Sequence, residues 1–307
     1  MRTAWTTVLA IALAGAQAVG AAKKASPEDT RTVQQLLAAM GTDVAFERED
    51  AAKALAAKGK KVLPAILKAL EDKDVHLRRG ATDALAAMGA DANSTAPQAA
   101  DALQDKDAWV RAGAARALGQ MGELPKKQAK ALAAAAGDAD PWVREVALSV
   151  LRNATKDKAL LVKAACEAIR IPHTSWGICR HAMGILRQHG PSDPKRVSAA
   201  MLKMLSDPPQ GMWDGGSAAV ELLMKMGTAK QAVPVFVRLL DHADIRTADR
   251  AAQRLAQIGP DAKNALPALR KMAAKGITDD RAKKDVTRAI ALLEGKADPY
   301  AKKAKRK

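Results

Sequence analysis

The chain has 307 residues, of which 48% are hydrophobic but only 3% aromatic. Abundant alanine and the absence of β-branched runs argue against a β-sheet fold and suit closely packed helices. The 50 Lys and Arg against 33 Asp and Glu leave a net charge of +17, which either draws anionic partners or serves solubility.

Residues 1–22 stand apart. Arg2 is the only charge before Lys23, Ala4 to Ala16 is apolar, and Ala16-Gln17-Ala18 fits the small-x-small cleavage rule. The stretch reads as a secretory signal peptide. The rival reading is an uncleaved anchor, but the apolar heart is shorter than the ~20 residues a span needs. The expectation is an exported bacterial protein, periplasmic or secreted, with no transmembrane span after cleavage. Residues 23–31 then form a polar linker.

From 32 to 295 one unit recurs. Its clearest copy is Asp107 to Gly122. Asp107 is placed to cap a helix, Val110, Ala114, Ala117, Leu118 and Met121 share one helical stripe, and Gly122 ends the helix. Copies start at Asp74 and Asp140, and closing glycines stand at 59, 89, 122, 190, 227 and 259, with Thr155 in the skipped slot. The period of about 30–37 residues is that of helical solenoids. The other half of each unit is a second amphipathic segment, with Pro64, Pro97, Pro125, Pro234 and Pro267 near its start, where a missing N–H costs nothing. Each unit is therefore two antiparallel helices, and the fold class is all-α: an α-α superhelix of about seven or eight repeats. The first unit carries a polar cluster, Glu47 to Asp50, as a solenoid end requires. Residues 156–215 are the least regular and hold two loops, 171–176 and the Pro/Gly-rich 207–216. Residues 296–307 form a basic tail that will not fold alone.

Pro-x-Leu-x-x-Leu, an acidic turn, Val-Arg, Ala-x-x-Ala-Leu and a closing Gly resemble HEAT repeats, in particular the short variety of phycobilisome (bilin) lyases. The resemblance spans roughly 32–294. It implies an armadillo/HEAT-like solenoid that binds a protein partner, and it does not name that partner.

Two residue series follow the repeat. An aromatic slot holds Phe46, His76, Trp109, Trp142, Trp176 and Trp213; an Arg slot holds Arg48, Arg78, Arg111, Arg144 and, one place late, Arg180. Adjacent repeats sit ~10 Å apart, too far for rings that need centroids within about 7 Å, so the indoles are expected not to stack. Two readings stay open for Trp109, Trp142, Trp176, Trp213, Arg78, Arg111, Arg144 and Arg180. One is a structural ladder in which Trp, Arg and the Asp74, Asp107 and Asp140 carboxylates join neighbouring repeats. The other is an exposed groove for a peptide or glycan.

Cys166 and Cys179 flank the Pro172-His173 turn symmetrically, so a disulfide is possible, with two buried thiols as the alternative. A metal site from Cys166, His173, Cys179, His181 and His189 is disfavoured, because 179 and 181 point to opposite helix faces. No cofactor or catalytic residue is expected. The iron ligands of a HEAT-like hydroxylase would be His-Glu pairs, and no His here precedes Glu. The leading expectation is a non-catalytic scaffold for protein–protein interaction. Alternatives are an electrostatic binder of an anionic polymer or membrane surface, and an enzyme or lyase subunit. Nucleic acid suits the charge but not export.

Overall fold

A computed structural model describes residues 29–171, 175–206, 213–242 and 244–301. The leader, most of the linker, the loop segments 172–174 and 207–212 and the last six residues lie outside the described residues. Among those described there is no strand, and helices come in eight antiparallel pairs: α1 Val33–Met40 with α2 Ala45–Ala57, α3 Leu63–Leu70 with α4 Val75–Met88, α5 Ala96–Asp101 with α6 Ala108–Gln120, α7 Lys126–Ala135 with α8 Pro141–Ala154, α9 Lys158–Arg170 with α10 Trp176–His189, α11 Pro194–Ser206 with α12 Trp213–Lys225, α13 Val233–Leu239 with α14 Ile245–Ile258, and α15 Leu266–Ala274 with α16 Asp280–Leu293. This is the expected α-α solenoid. No described helix is long and apolar enough to cross a membrane.

The capping chemistry explains where the second helices begin. Asp74 accepts from His76 N–H, Asp107 from Val110 N–H, Asp140 from Trp142 and Val143 N–H, and Asp244 from Arg246 N–H. Ser175 serves the irregular repeat, accepting from Ile178 N–H. Thr32 opens the array with a reciprocal capping box to Gln35. Proline lies in the first turn of α3, α5, α13 and α15, as expected, whereas Pro125 is the residue before α7.

Counting from each cap, the seventh residue is a buried alanine (Ala51, Ala81, Ala114, Ala147, Ala182, Ala251) and the eleventh a buried leucine (Leu55, Leu85, Leu118, Leu151, Leu186, Leu255). The small residue lets the next helix approach, and the leucine fills the layer between the two rows of helices. Second helices pack successively against one another: α4 on α2, α6 on α4, α8 on α6. Glycine makes the closest approaches possible. A methyl at Gly113 would overlap the Thr82 side chain, and one at Gly119 would overlap Val150.

Gly122 (φ 89°) and Gly259 (φ 71°) end their units in the left-handed region, as do Gly59, Gly89 and Gly227. Gly190 departs from the expectation. Its φ of −55° is helical, because the chain runs from α10 straight into a 3-10 turn at Gly190–Ser192. Thr155 fills the skipped slot in extended conformation, and the Ala154 carbonyl before it accepts from Leu124 N–H.

Gly113→Ala is expected to lower stability by about 1–3 kcal/mol through overpacking. Gly184→Ala, on an exposed helical position with nothing but the Arg152 guanidinium tip nearby, should raise it by up to about 1 kcal/mol through helix propensity. Denaturant melts of the two variants check both signs.

Candidate functional site

The acidic turn before α4, α6 and α8 reads Asp72-Lys-Asp74, Asp105-Lys-Asp107 and Asp138-Ala-Asp140. The second aspartate caps the helix. The first folds back onto the turn, each Oδ1 accepting from the backbone N–H two residues on, at 2.8–2.9 Å. The arginine four residues after the cap then returns to its own turn. Arg78 Nη1 donates to the Asp72 and Lys73 carbonyls, Arg111 Nη1 to those of Asp105 and Lys106, and Arg144 Nη1 to those of Asp138 and Ala139.

The other edge of the guanidinium crosses to the next repeat. Arg78 donates from Nε and Nη2 to Asp105 (2.8 and 3.2 Å), and Arg111 does the same to Asp138 (2.8 and 2.9 Å). Each rung is a two-point fork shielded from water, the geometry in which an arginine–carboxylate pair is strongest. The ladder expected from sequence therefore exists, with a correction to its members. The carboxylates that meet the slot arginines are Asp105 and Asp138, not Asp74, Asp107 and Asp140. Of those three only Asp107 reaches across, to Arg79 (2.9 and 2.6 Å). The Arg79 guanidinium holds the Asp107 carboxyl below the ordinary carboxylate range.

The ladder stops at Arg144, which is 1% exposed and whose Nε has no hydrogen-bond partner. The residue two before the next cap is His173 rather than Asp, and the position four after it is Cys179 rather than Arg. Burial pushes the Arg144 guanidinium below its usual pKa, against the pull of Asp138 and Asp140. Arg180, one place beyond the slot, is exposed. Three of the four arginines singled out from sequence, Arg78, Arg111 and Arg144, are thus turned into the seam and are not available to a surface ligand.

The aromatic slot behaves in the opposite way. Trp109 is 60% exposed, Trp142 37% and Phe46 79%. The Trp109 and Trp142 centroids lie 6.3 Å apart with the planes inclined at 49°, so the expectation that these indoles would not meet is corrected. Repeat spacing fixes the helix axes, but an indole is long enough to lean across the gap. Neither ring is a member of the Arg–Asp rungs. The side chains of Trp176 and Trp213 lie outside the described residues. On the same second helices, the Arg116 guanidinium of α6 pairs with Asp83 of α4, and Glu145 of α8 accepts from the Ser175 hydroxyl at 3.0 Å. Burial raises the Asp83 carboxyl, with Arg116 opposing.

Cys166 and Cys179 are buried free thiols on the two packed helices of one repeat. The bridge weighed from sequence is not formed here, and burial pushes both thiols up to about 12. Among the described residues no group of three metal-ligating side chains converges.

Residues 90–152 match the family model for HEAT repeats. The cap, alanine and leucine positions of that HEAT-repeat segment recur on both sides of it. No curated protein matches the sequence. Among solved structures it is similar to an engineered protein (19% identity, 86% of this chain and 79% of that one, TM-score 0.41). It is also similar to the CpcE–CpcF complex of phycocyanin lyase from Nostoc sp. PCC7120 (18%, 89% and 99%, TM-score 0.32) and to a designed armadillo repeat protein in complex with the peptide (KR)4 (18%, 75% and 99%, TM-score 0.33).

Arg111→Met strands the Asp138 carboxylate and should cost about 2–4 kcal/mol. Arg144→Met removes a fork with no carboxylate opposite, and should cost at least about 1 kcal/mol less. Equal losses in urea melts would contradict the rung assignment.

Proposed function

We propose that this HEAT-repeat protein is a non-catalytic scaffold that binds a protein partner through the indole edge of its second helices. The observation carrying this is the solvent-exposed Trp109–Trp142 pair on adjoining repeats. Exposed aromatic rings at fixed spacing are costly to leave in water and are typical anchors of binding surfaces. Tryptophan offers a large apolar face with one N–H donor, so it suits a partner side chain plus a nearby acceptor.

Replacing Trp109 and Trp142 together by Ser tests this reading. An envelope-fraction protein retained by the unaltered chain at high salt should be lost or bound at least 30-fold more weakly, as expected for anchors worth about 2 kcal/mol or more, with melting temperature unchanged. Undiminished retention would overturn it.

The scaffold is read as exported, periplasmic or secreted, on the strength of residues 1–22, with the mature chain comprising the linker, the solenoid over 32–295 and the basic tail 296–307. The intact mass of the protein recovered from the envelope should lack the leader; a full-length mass would contradict cleavage. The second reading, electrostatic attachment to an anionic surface or polymer, is favoured by the +17 charge. The enzyme or lyase-subunit alternative rests on resemblance alone.

A further inference from the structure

The last two second helices, α14 and α16, carry a surface unlike the indole edge. Along α14, Arg246, Arg250, Gln253, Arg254 and Gln257 recur at three- and four-residue intervals; along α16, Arg281, Lys284, Asp285 and Arg288 do the same. Between them lies a cleft of about 790 Å³ whose walls include Gln253, Arg254, Arg281, Lys284, Asp285 and Arg288.

Four cations on these walls face two carboxylates, Asp280 and Asp285. Asp285 is bound from within, accepting from Gln253 Nε2 at 2.8 Å, and the same amide donates to Asp249 at 3.1 Å. Asp249 is 7% exposed and its Oδ1 makes no hydrogen bond. Burial, then the charge of Asp285, raise its carboxyl to about 6. On the far side, Arg288 also reaches Asp298 at 2.8 Å, which holds the chain after α16 against that helix. Arg281 lies 3.9 Å from Asp285, yet it and Arg288 stay largely exposed, and four cations against two carboxylates leave the cleft walls net cationic.

We propose that this cleft binds an acidic peptide segment of a protein partner. Guanidinium forks match side-chain carboxylates two-point to two-point. Arg281 and Arg288 are two helical turns apart, about 10 Å, the reach of about three extended residues. The cleft also holds Ala256, Gln257 and Leu292, which offer apolar contact and an amide for the peptide backbone. Asp280 can accept peptide N–H groups, which a polyphosphate or a sulfated polymer does not offer. The site shares no residue with the indole edge, so it stands or falls separately from it.

The probe is a fluorescein-labelled deca-glutamate peptide titrated into the full chain by anisotropy. Micromolar binding is expected. Arg281→Glu with Lys284→Glu, both exposed positions, should weaken it at least tenfold with unchanged circular dichroism. Lys126→Glu with Lys127→Glu, the same charge change on exposed positions of α7, should change it less than twofold, and the Trp109→Ser/Trp142→Ser chain should bind as the unaltered one does. No binding, or an equal loss in the α7 variant, overturns the proposal. So does polyphosphate that competes at lower concentration than the peptide and loses affinity in the same α16 variant, because the site would then take phosphate polymers.

Discussion

An arginine that satisfies its own turn with one nitrogen and grips the next repeat with two others sets the geometry of the middle of this solenoid. The Asp-x-Asp turn is the receiving half of that interaction. Its first carboxylate is already fixed by a backbone N–H when the guanidinium of the preceding repeat arrives, so little side-chain freedom is lost on pairing. Because Arg78 to Asp105 and Arg111 to Asp138 are equal steps along the chain, consecutive repeats are held in one register. The register also places Gly113 under Thr82 and the capped ends of α6 and α8 side by side.

The same turn decides what the surface offers. A cap at Asp107 or Asp140 makes Trp109 or Trp142 the second residue of its helix, on the edge of the array, while the arginine two residues later swings inward. Cation and aromatic are thereby separated. Shielded charge holds the repeats together, and exposed indole is left for another molecule. Further along, the slot that held Trp carries Arg246, and the slot that held a rung arginine carries the buried Ala248. The face of the second helices therefore changes from aromatic to cationic between α8 and α14, and the two proposed sites take partners of different chemistry.

Most of the architecture was legible in the sequence because it depends on short spacings: cap to alanine, cap to leucine, proline at a helix start, glycine at its end. The ladder was legible in kind but not in membership. Asp105 and Asp107 sit in one turn, and only three-dimensional placement shows which faces the neighbouring arginine; the Asp-x-Asp-x-x-x-Arg spacing, present three times, was the available signal. The Trp109–Trp142 contact was missed because axis separation was taken as ring separation. The helical Gly190 was missed because a closing glycine and a glycine followed by Pro191 look alike in one dimension. The cationic cleft was missed since its walls come from helices some thirty residues apart, and each alone reads as an ordinary solvated face.

A double-mutant cycle on Arg111 and Asp138, using Met and Ala replacements in urea melts, tests the central claim most directly. The account requires a coupling of about 1–3 kcal/mol between the two positions. It also requires the Arg111–Asp140 cycle, run as a control, to give a clearly smaller coupling, since Asp140 acts on Arg111 only through space. A vanishing Arg111–Asp138 coupling would mean that the rung does not hold the repeats in register, and the separation of buried arginine from exposed indole would lose its cause.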